Sequence, residues 1–271
     1  LAAAPAMAAA NLKRPIHFAL SYDEEVGCLG APSMVRDMAA TMPRIDAVIV
    51  GEPTDMKVVS GHKGISSFRV EIEGREAHSR LKGTGVSAIM TAIPLLALIE
   101  QMGREAAEKA DPASPFNPPG ATMTVGLIEG GTAVNILARA CSFVWDLRCP
   151  PDDDPEVYIA RFMEAAREAD AQIKAIAPEG FVRVIRRSAT PPLGPEENGT
   201  AEHLARALTG DNSPRVVAYA AEGGLFQRAG LSTVVCGPGS IEQAHQPDEW
   251  VAVDQLLQCD AFLHRLIARM T

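Results

Sequence analysis

The chain has 271 residues, of which 47% are hydrophobic and 22% are charged, and its net charge is −9. This composition is ordinary for a globular protein, and the acidic balance argues against nucleic acid or an anionic membrane surface as a partner. No apolar run approaches the ~20 residues of a membrane span. The five cysteines are scattered without C-x-x-C spacing, which is typical of reduced thiols in a cytoplasmic protein.

The first part of the chain has the pattern of an α/β domain. The apolar run 16–20 predicts a buried parallel strand, and it ends at three consecutive acids. A helix is predicted over 30–42, and a second apolar run follows at 47–50. Strand, helix and strand in this order are typical of a βαβ unit.

The pattern changes after residue 60. Apolar and charged residues alternate around Phe68, Val70 and Ile72, which indicates a strand with one exposed face. In chain order we predict strand, helix, strand, strand, helix and strand over 68–72, 86–110, 123–127, 143–147, 155–169 and 172–177. This is the element order of the ferredoxin-like split unit.

An α/β pattern returns in the last third of the chain. It contains a helix predicted over 200–208, the buried strand of "STVVCGPGS" and a final amphipathic helix. We therefore predict one discontinuous α/β domain formed by residues 1–60 and 180–271. A smaller α+β domain over 61–179 interrupts it.

Acids and one histidine stand where the α/β strands are expected to end, namely Glu24, Glu25, Glu52 and His245. Ligands of open α/β sheets bind at the carboxyl ends of the strands. Carboxylates and imidazoles are the ligands of zinc or cobalt in hydrolytic sites. Because neighbours in an extended chain point apart, Glu24 and Glu25 can have different roles, one on a metal and one moving a proton. The alternative is a solvated acidic turn and an exposed loop histidine.

Six stretches of the sequence together resemble one enzyme family. They are "SYDEEVGCLGA", "IVGEPTDMKVV", "GHKG", "GREAHS", "GGTAVNILARA" and "VVCGPGSIEQAHQPDEWV". In this order they are similar to the co-catalytic zinc aminoacylase/carboxypeptidase family, and the last stretch resembles its acetylornithine deacetylase branch. The resemblance implies a zinc-peptidase-like α/β catalytic domain with an inserted ferredoxin-like dimerisation domain.

The resemblance also implies roles for the acids and for His245. Glu24 matches the general base that activates the attacking water. Glu25 matches a ligand of one metal ion, and His245 matches a ligand of the same ion. Glu52 matches a ligand of the second ion, so the resemblance implies two zinc or cobalt ions in the full-length protein.

Further site residues follow from the same resemblance. His78 matches a histidine that polarises the scissile carbonyl, usually from the partner subunit of a homodimer. Asn135, Gly237 and Gly239 match positions that line the substrate pocket. Glu222 falls in a stretch that the family shares, but its role stays open.

The resemblance also predicts that part of the family's site lies outside this chain. The family completes its metal sites with an H-x-D motif and a bridging aspartate upstream of "DEE", and the residues before Asp23 contain neither. The sequence also begins with Leu1 rather than Met. We therefore expect an N-terminally incomplete catalytic domain that binds metal partly or not at all and is inactive as it stands.

The predicted activity of the full-length protein is metal-dependent hydrolysis of a small N-acyl amino acid, first of all N-acetyl-L-ornithine to L-ornithine and acetate in arginine biosynthesis. A desuccinylase or dipeptidase of the same family is the alternative within enzymes. The alternative outside enzymes is a non-catalytic dimerisation or binding module. The metal content of the full-length protein separates these classes.

Overall fold

A computed structural model describes residues 2–81 and 83–271. Leu1, at which the sequence begins, lies outside the described residues. The chain divides into two compact units. The first unit combines the residues up to Lys63 with Thr190–Thr271, and the second is Gly64–Ala189.

The described residues form helices and strands in the following order. The α-helices are α1 (Ala4–Ala9), α2 (Ala31–Thr41), α3 (Ala88–Lys109), α4 (Pro155–Ile176), α5 (Thr200–Thr209), α6 (Gly223–Arg228) and α7 (Val253–Met270). The strands are β1 (Val48–Val50), β2 (Gly61–His62), β3 (Gly64–Glu73), β4 (Thr122–Gly130), β5 (Ala140–Cys149), β6 (Phe181–Thr190), β7 (Val216–Val217) and β8 (Thr233–Val235). A 3-10 turn spans Ser79–Leu81. Within the described ranges, no helix combines enough length and apolar character to cross a membrane.

The second unit is a four-stranded sheet with two long helices. The strand order is β4-β5-β3-β6, and β5 pairs antiparallel with both β3 and β4. Residues of β3 and β5 alternate between buried and partly exposed positions, as the sequence predicts. Their buried side chains pack with those of α3 and α4 in one continuous core, in which Trp145 stacks on Phe68 with ring centroids 4.8 Å apart.

Local capping begins both long helices of this unit. The side chain of Ser87 accepts a hydrogen bond from the Met90 amide at 3.3 Å, and Asp154 accepts one from the Glu156 amide at 3.0 Å. Such bonds satisfy backbone donors that have no partner inside the first turn of a helix. Pro94 lies inside α3.

Two sequence predictions for this unit are wrong. The strand predicted over 172–177 is the last part of α4, because Ile159, Phe162 and Ile173 continue one apolar stripe at helical spacing into the core. The strand that follows is β6. The alternation of Met123, Val125 and Leu127 predicts that all three share one face of the strand. Leu127 is instead exposed, because the β4–β5 register shifts between Val125 and Leu127 and reverses the side-chain alternation.

The first unit is built from short elements. Strand β1 pairs in parallel with β8, and β2 pairs in parallel with β7. Helices α5 and α6 both contact β1 and β8, and α5 also contacts α7. Since β1 and β8 run in parallel, their carboxyl ends lie at the same edge, and both the Glu52 turn and the Gly237 turn begin there.

The strand predicted over 16–20 is wrong. These residues have no strand assignment, and Phe18 and Leu20 are 48% and 77% exposed. A strand forms only by pairing with a neighbour, and none of the described strands pairs with residues 16–20. His17, within the same run, is exposed as well.

Candidate active site

A tight turn of the first unit presents Glu24 and Glu25. The amides of Gly27 and Cys28 both donate to the Glu24 carbonyl at 2.9 Å, and the Leu29 amide donates to the Asp23 carbonyl at 3.1 Å. Asp23 has a left-handed backbone with φ of 56°, so its visible role is in the backbone of the turn. Glu24 is partly buried and Glu25 is exposed. This difference arises in a turn and not from the alternation of side chains along a strand.

Glu24 is held in a partly buried position by Cys28. The Sγ of Cys28 donates to Oε1 of Glu24 at 3.5 Å. Burial raises the pKa of Glu24, and the charges of Glu25 and Glu222 raise it further, against lowering contributions from Cys28 and His245. Burial also raises the pKa of the Cys28 thiol to about 12, so the thiol stays protonated and remains a donor.

Glu25 and His245 meet at the surface of the same unit. The Oε2 of Glu25 lies 3.8 Å from Nε2 of His245, and the two side chains are 76% and 70% exposed. The His245 amide donates to Glu249 at 3.0 Å, and His245 has a left-handed backbone with φ of 60°. The structure therefore brings together the two residues that the resemblance assigns to one metal ion.

Glu52 follows β1 and is partly buried. Burial, which is the largest cause, and the charges of Glu24, Glu222 and Glu25 together raise its pKa to about 7, against a lowering contribution from His245. Each of these charges therefore acts at Glu52. A carboxyl that titrates near neutrality among other acids is one that a cation would stabilise in its charged form.

Gly237 and Gly239 anchor the turn that carries Glu52. The amides of Thr54 and Met56 donate to the Gly237 carbonyl at 3.2 and 2.9 Å, and the Asp55 amide donates to the Gly239 carbonyl at 2.7 Å. A Cβ on Gly237 would stand 2.5 Å from the carbonyl oxygen of Glu52. Glycine is required at this position because the two backbones pass so close to each other.

The sequence offered no role for Glu222, which the structure places among these acids. It is 7% exposed and immediately precedes α6. Burial is the largest cause of the raised pKa values of Glu24, Cys28 and Glu52, and the charge of Glu222 is a further cause in all three. The signal available in the sequence was an acid flanked by small residues in "AAEGGLF".

His78 and Asn135 lie in the second unit and are exposed. Their backbones are neighbours, because the Ser79 amide donates to the Asn135 carbonyl at 2.9 Å and His78 forms an isolated β-bridge with Ile136. The structure thus brings these two predicted residues together on adjacent segments. The ring Nδ1 of His78 accepts from the Arg80 amide at 3.3 Å.

The residues of the first unit match a metal site in chemistry but not in number. Among the described residues, no group of three or more His, Cys, Asp or Glu side chains is close enough together to hold a metal ion. The Glu25–His245 pair and Glu52, whose pKa is raised, have the side-chain types that zinc and cobalt prefer.

The family model of the M20 peptidase dimerisation domain matches residues 60–174. The chain is 35% identical to an acetylornithine deacetylase of Myxococcus xanthus over 97% of this chain and 67% of that protein. It is 29% identical to an acetylornithine deacetylase of Pasteurella multocida over 96% of this chain and 65% of that protein. The chain thus spans about two thirds of the length of these curated relatives. The chain belongs to the M20 peptidase family, whose members are hydrolases and generally depend on a metal.

Solved structures confirm the fold class. An aminopeptidase PepT from Bacillus cereus superposes with a TM-score of 0.67 at 19% identity, over 91% of this chain and 62% of that chain. Human carnosine dipeptidase 1 superposes with a TM-score of 0.66 at 13% identity, over 91% of this chain and 65% of that chain. The predicted zinc-peptidase-like α/β fold with its dimerisation domain and the predicted family are both confirmed.

Proposed function

We propose that the native protein hydrolyses the amide bond of an N-acyl amino acid, with N-acetyl-L-ornithine as the first candidate substrate. The observation that carries this proposal is the position of Glu24. Its partly buried carboxyl, with a raised pKa, shares one unit with the Glu25–His245 pair and with Glu52. A base beside a set of metal ligands is the arrangement that amide hydrolysis by water requires.

Glu25 and His245 would hold one zinc or cobalt ion, and Glu52 would contribute to a second. When bound, the ions supply Lewis acidity, which polarises the acyl carbonyl and makes water a better nucleophile near neutral pH. Glu24 accepts the proton of the attacking water. It then gives that proton to the leaving amine nitrogen, so acetate and the free amine are released. A pKa raised by burial suits both steps, because such a carboxyl exchanges its proton nearer to neutral pH.

We propose the remaining roles from the family pattern. His78 donates to the developing oxyanion of the acyl group. Asn135, Gly237 and Gly239 line the substrate pocket. The domain over 61–179 joins two copies of the chain in a homodimer, which the match to a dimerisation domain supports. We also place the protein in the cytoplasm, where it would serve arginine biosynthesis, because its five cysteines form no disulfide.

The test compares Glu24→Gln with Glu25→Gln in the protein as its native gene encodes it, loaded with zinc. Glu24→Gln removes the base and keeps the ligands, so turnover of N-acetyl-L-ornithine should fall about 100- to 10,000-fold. Its zinc content, measured by atomic absorption, should equal that of the native protein. Glu25→Gln should instead lose zinc.

Three outcomes would overturn this assignment. Loss of zinc in Glu24→Gln would make Glu24 a ligand rather than a base. Native turnover in Glu24→Gln would remove it from the mechanism. Native protein that binds no zinc and cleaves no N-acetyl, N-succinyl or dipeptide substrate would end the proposal of hydrolysis and favour a binding module.

A further inference from the structure

Glu222 is a buried acid that the mechanism above does not use. It is 7% exposed, and among the described residues no group donates a hydrogen bond to its Oε1. Within the described residues, its side chain also accepts no capping hydrogen bond from the first turn of α6. Burying a carboxylate oxygen without a hydrogen-bond donor is costly. We therefore expect a donor or a cation to bind at this position.

The surroundings of Glu222 are acidic. Its charge acts on Glu24, on the Cys28 thiol and on Glu52, all in the same unit. His245 lowers the pKa values of Glu24 and Glu52, and its side chain is 70% exposed and lies beside Glu25. The buried part of the cluster is therefore suited to receive a cation.

The backbone around Glu222 is held firmly in place. The Gly224 amide donates to Nε2 of the buried His62 at 3.1 Å, and Nδ1 of His62 bonds to the Lys63 carbonyl at 2.9 Å. A Cβ on Gly224 would stand 2.1 Å from the Pro191 carbonyl oxygen. Gly224 thus allows close packing of the backbone, and this packing fixes the position from which the Glu222 side chain extends.

We propose that Glu222 binds a primary ammonium group of the substrate and so makes the site selective for cationic substrates. This inference rests on the proposed function. An ammonium supplies a positive charge and up to three hydrogen-bond donors. It therefore suits a buried carboxylate oxygen that has no donor. A neutral substrate of the same shape would leave the carboxylate unpaired, and sites built around a polar partner reject such analogues strongly.

The test measures kcat/KM for N-acetyl-L-ornithine and for N-acetyl-L-norleucine, in which a methyl group replaces the ammonium. The native, zinc-loaded protein should prefer the cationic substrate. Glu222→Gln should lower the ratio of the two values by about 30- to 1,000-fold, because it removes the charge and keeps the shape. Glu197→Gln removes an exposed acid of the same unit and should leave the ratio unchanged.

A second substrate pair identifies which ammonium is bound. A tripeptide with a free amino terminus is compared with its N-formyl form. If Glu222→Gln lowers the free-to-formyl ratio and not the ornithine-to-norleucine ratio, Glu222 binds a peptide amino terminus. The opposite result assigns it to the side-chain ammonium of a diamino acid.

Product binding by calorimetry gives a readout that is independent of turnover. Native protein should bind L-ornithine more tightly than L-norleucine, and Glu222→Gln should lose that difference. If Glu222→Gln fails to fold, Glu222→Asp keeps the charge on a shorter side chain and should retain part of the preference.

The inference is overturned if both substrate ratios stay at their native values, if Glu222→Gln loses zinc, or if Glu222→Asp loses the preference while folding normally. The first result would leave Glu222 without a ligand, and the second would make it a metal ligand. Failure of the native protein to cleave any of these substrates contradicts the proposed function instead. In that case calorimetry still decides the role of Glu222. The measurement compares the binding of L-ornithine and L-norleucine in native protein and in Glu222→Gln.

Discussion

The two compact units bury their apolar side chains in different ways. Gly64–Ala189 has one continuous core between a four-stranded sheet and two 22-residue helices. The other unit divides its described core into three smaller clusters around strands of two or three residues. Strands distant in sequence pair in both units. The long strands of the regular unit each show a burial pattern of their own, whereas strands of two or three residues are too short to show one.

The candidate catalytic groups follow this division. Glu24, Glu52, Glu222 and His245 stand on turns of the unit with the small clusters. Buried and mutually repelling acids reduce stability, and such costs are common where a site is arranged for chemistry rather than for folding. The repulsion between the acids of the candidate site therefore lowers the stability of the less regular unit and not that of the regular one.

The largest expected effect comes from truncating the same side chain in each core. Phe162 is fully buried and lies 4.7 Å from Trp145 between ring centroids, so Phe162→Ala should cost about 3–5 kcal/mol in the free energy of unfolding. Phe262→Ala, in one of the small clusters, should cost about 3 kcal/mol or less, because partly exposed neighbours can close around the gap.

Urea unfolding followed by circular dichroism measures both costs. Hydrogen exchange assigns each to its unit: Phe162→Ala should speed exchange in β3 and β5, and Phe262→Ala should speed it around β8. Equal costs for the two variants would contradict the contrast between one continuous core and several small clusters.

Much of the second unit could be predicted from the sequence. The alternation of Phe68, Val70 and Ile72 and that of Phe143, Trp145 and Leu147 each report one buried sheet face, and the structure buries all six. The strand predicted over 172–177 was wrong because a short apolar run has no periodicity of its own until Ile173 is seen as the end of a stripe that begins at Ile159.

The first unit was harder to predict because its strands have only two or three residues and show no alternation of their own. The apolar run 16–20 looked like a strand, but pairing with a partner cannot be read from composition. The family motifs located Glu25 and His245, which lie 220 residues apart in sequence and 3.8 Å apart in the structure. Neither the bond from Cys28 to Glu24 nor the bond from Gly224 to His62 had a signal in the sequence.

An intermediate effect is expected from the pH dependence of stability that the buried His62 causes. Burial lowers its pKa to about 4 from an ordinary value near 6.5. The unfolded chain therefore binds a proton between these values and the folded chain does not. The contribution of His62 to stability is complete above about pH 6.5 and declines towards pH 4, by up to about 3 kcal/mol.

Comparing variants isolates this contribution, because the raised pKa of Glu52 acts in the opposite direction over much of the same range. His62→Gln offers an amide oxygen to the Gly224 amide and has no titrating group. Relative to it, the native chain should lose stability in urea as pH falls from 6.5 to 4. The matched variant His203→Gln, at an exposed position of α5, should follow the native curve. Parallel curves for native chain and His62→Gln would refute the buried neutral imidazole.

The smallest effect tests how closely the Glu52 and Gly237 turns pack. A Cβ at Gly237 would meet the Glu52 carbonyl oxygen at 2.5 Å, whereas a Cβ at Gly51 meets nothing within 4 Å. Gly237→Ala should therefore cost about 1–3 kcal/mol in thermal or urea unfolding, and Gly51→Ala should change stability by less than about 0.5 kcal/mol. Both variants add the same methyl group on neighbouring turns, so their difference reports the close approach itself. If both are neutral, the two turns can separate freely, and the unit that carries the candidate site is looser than its backbone hydrogen bonds indicate.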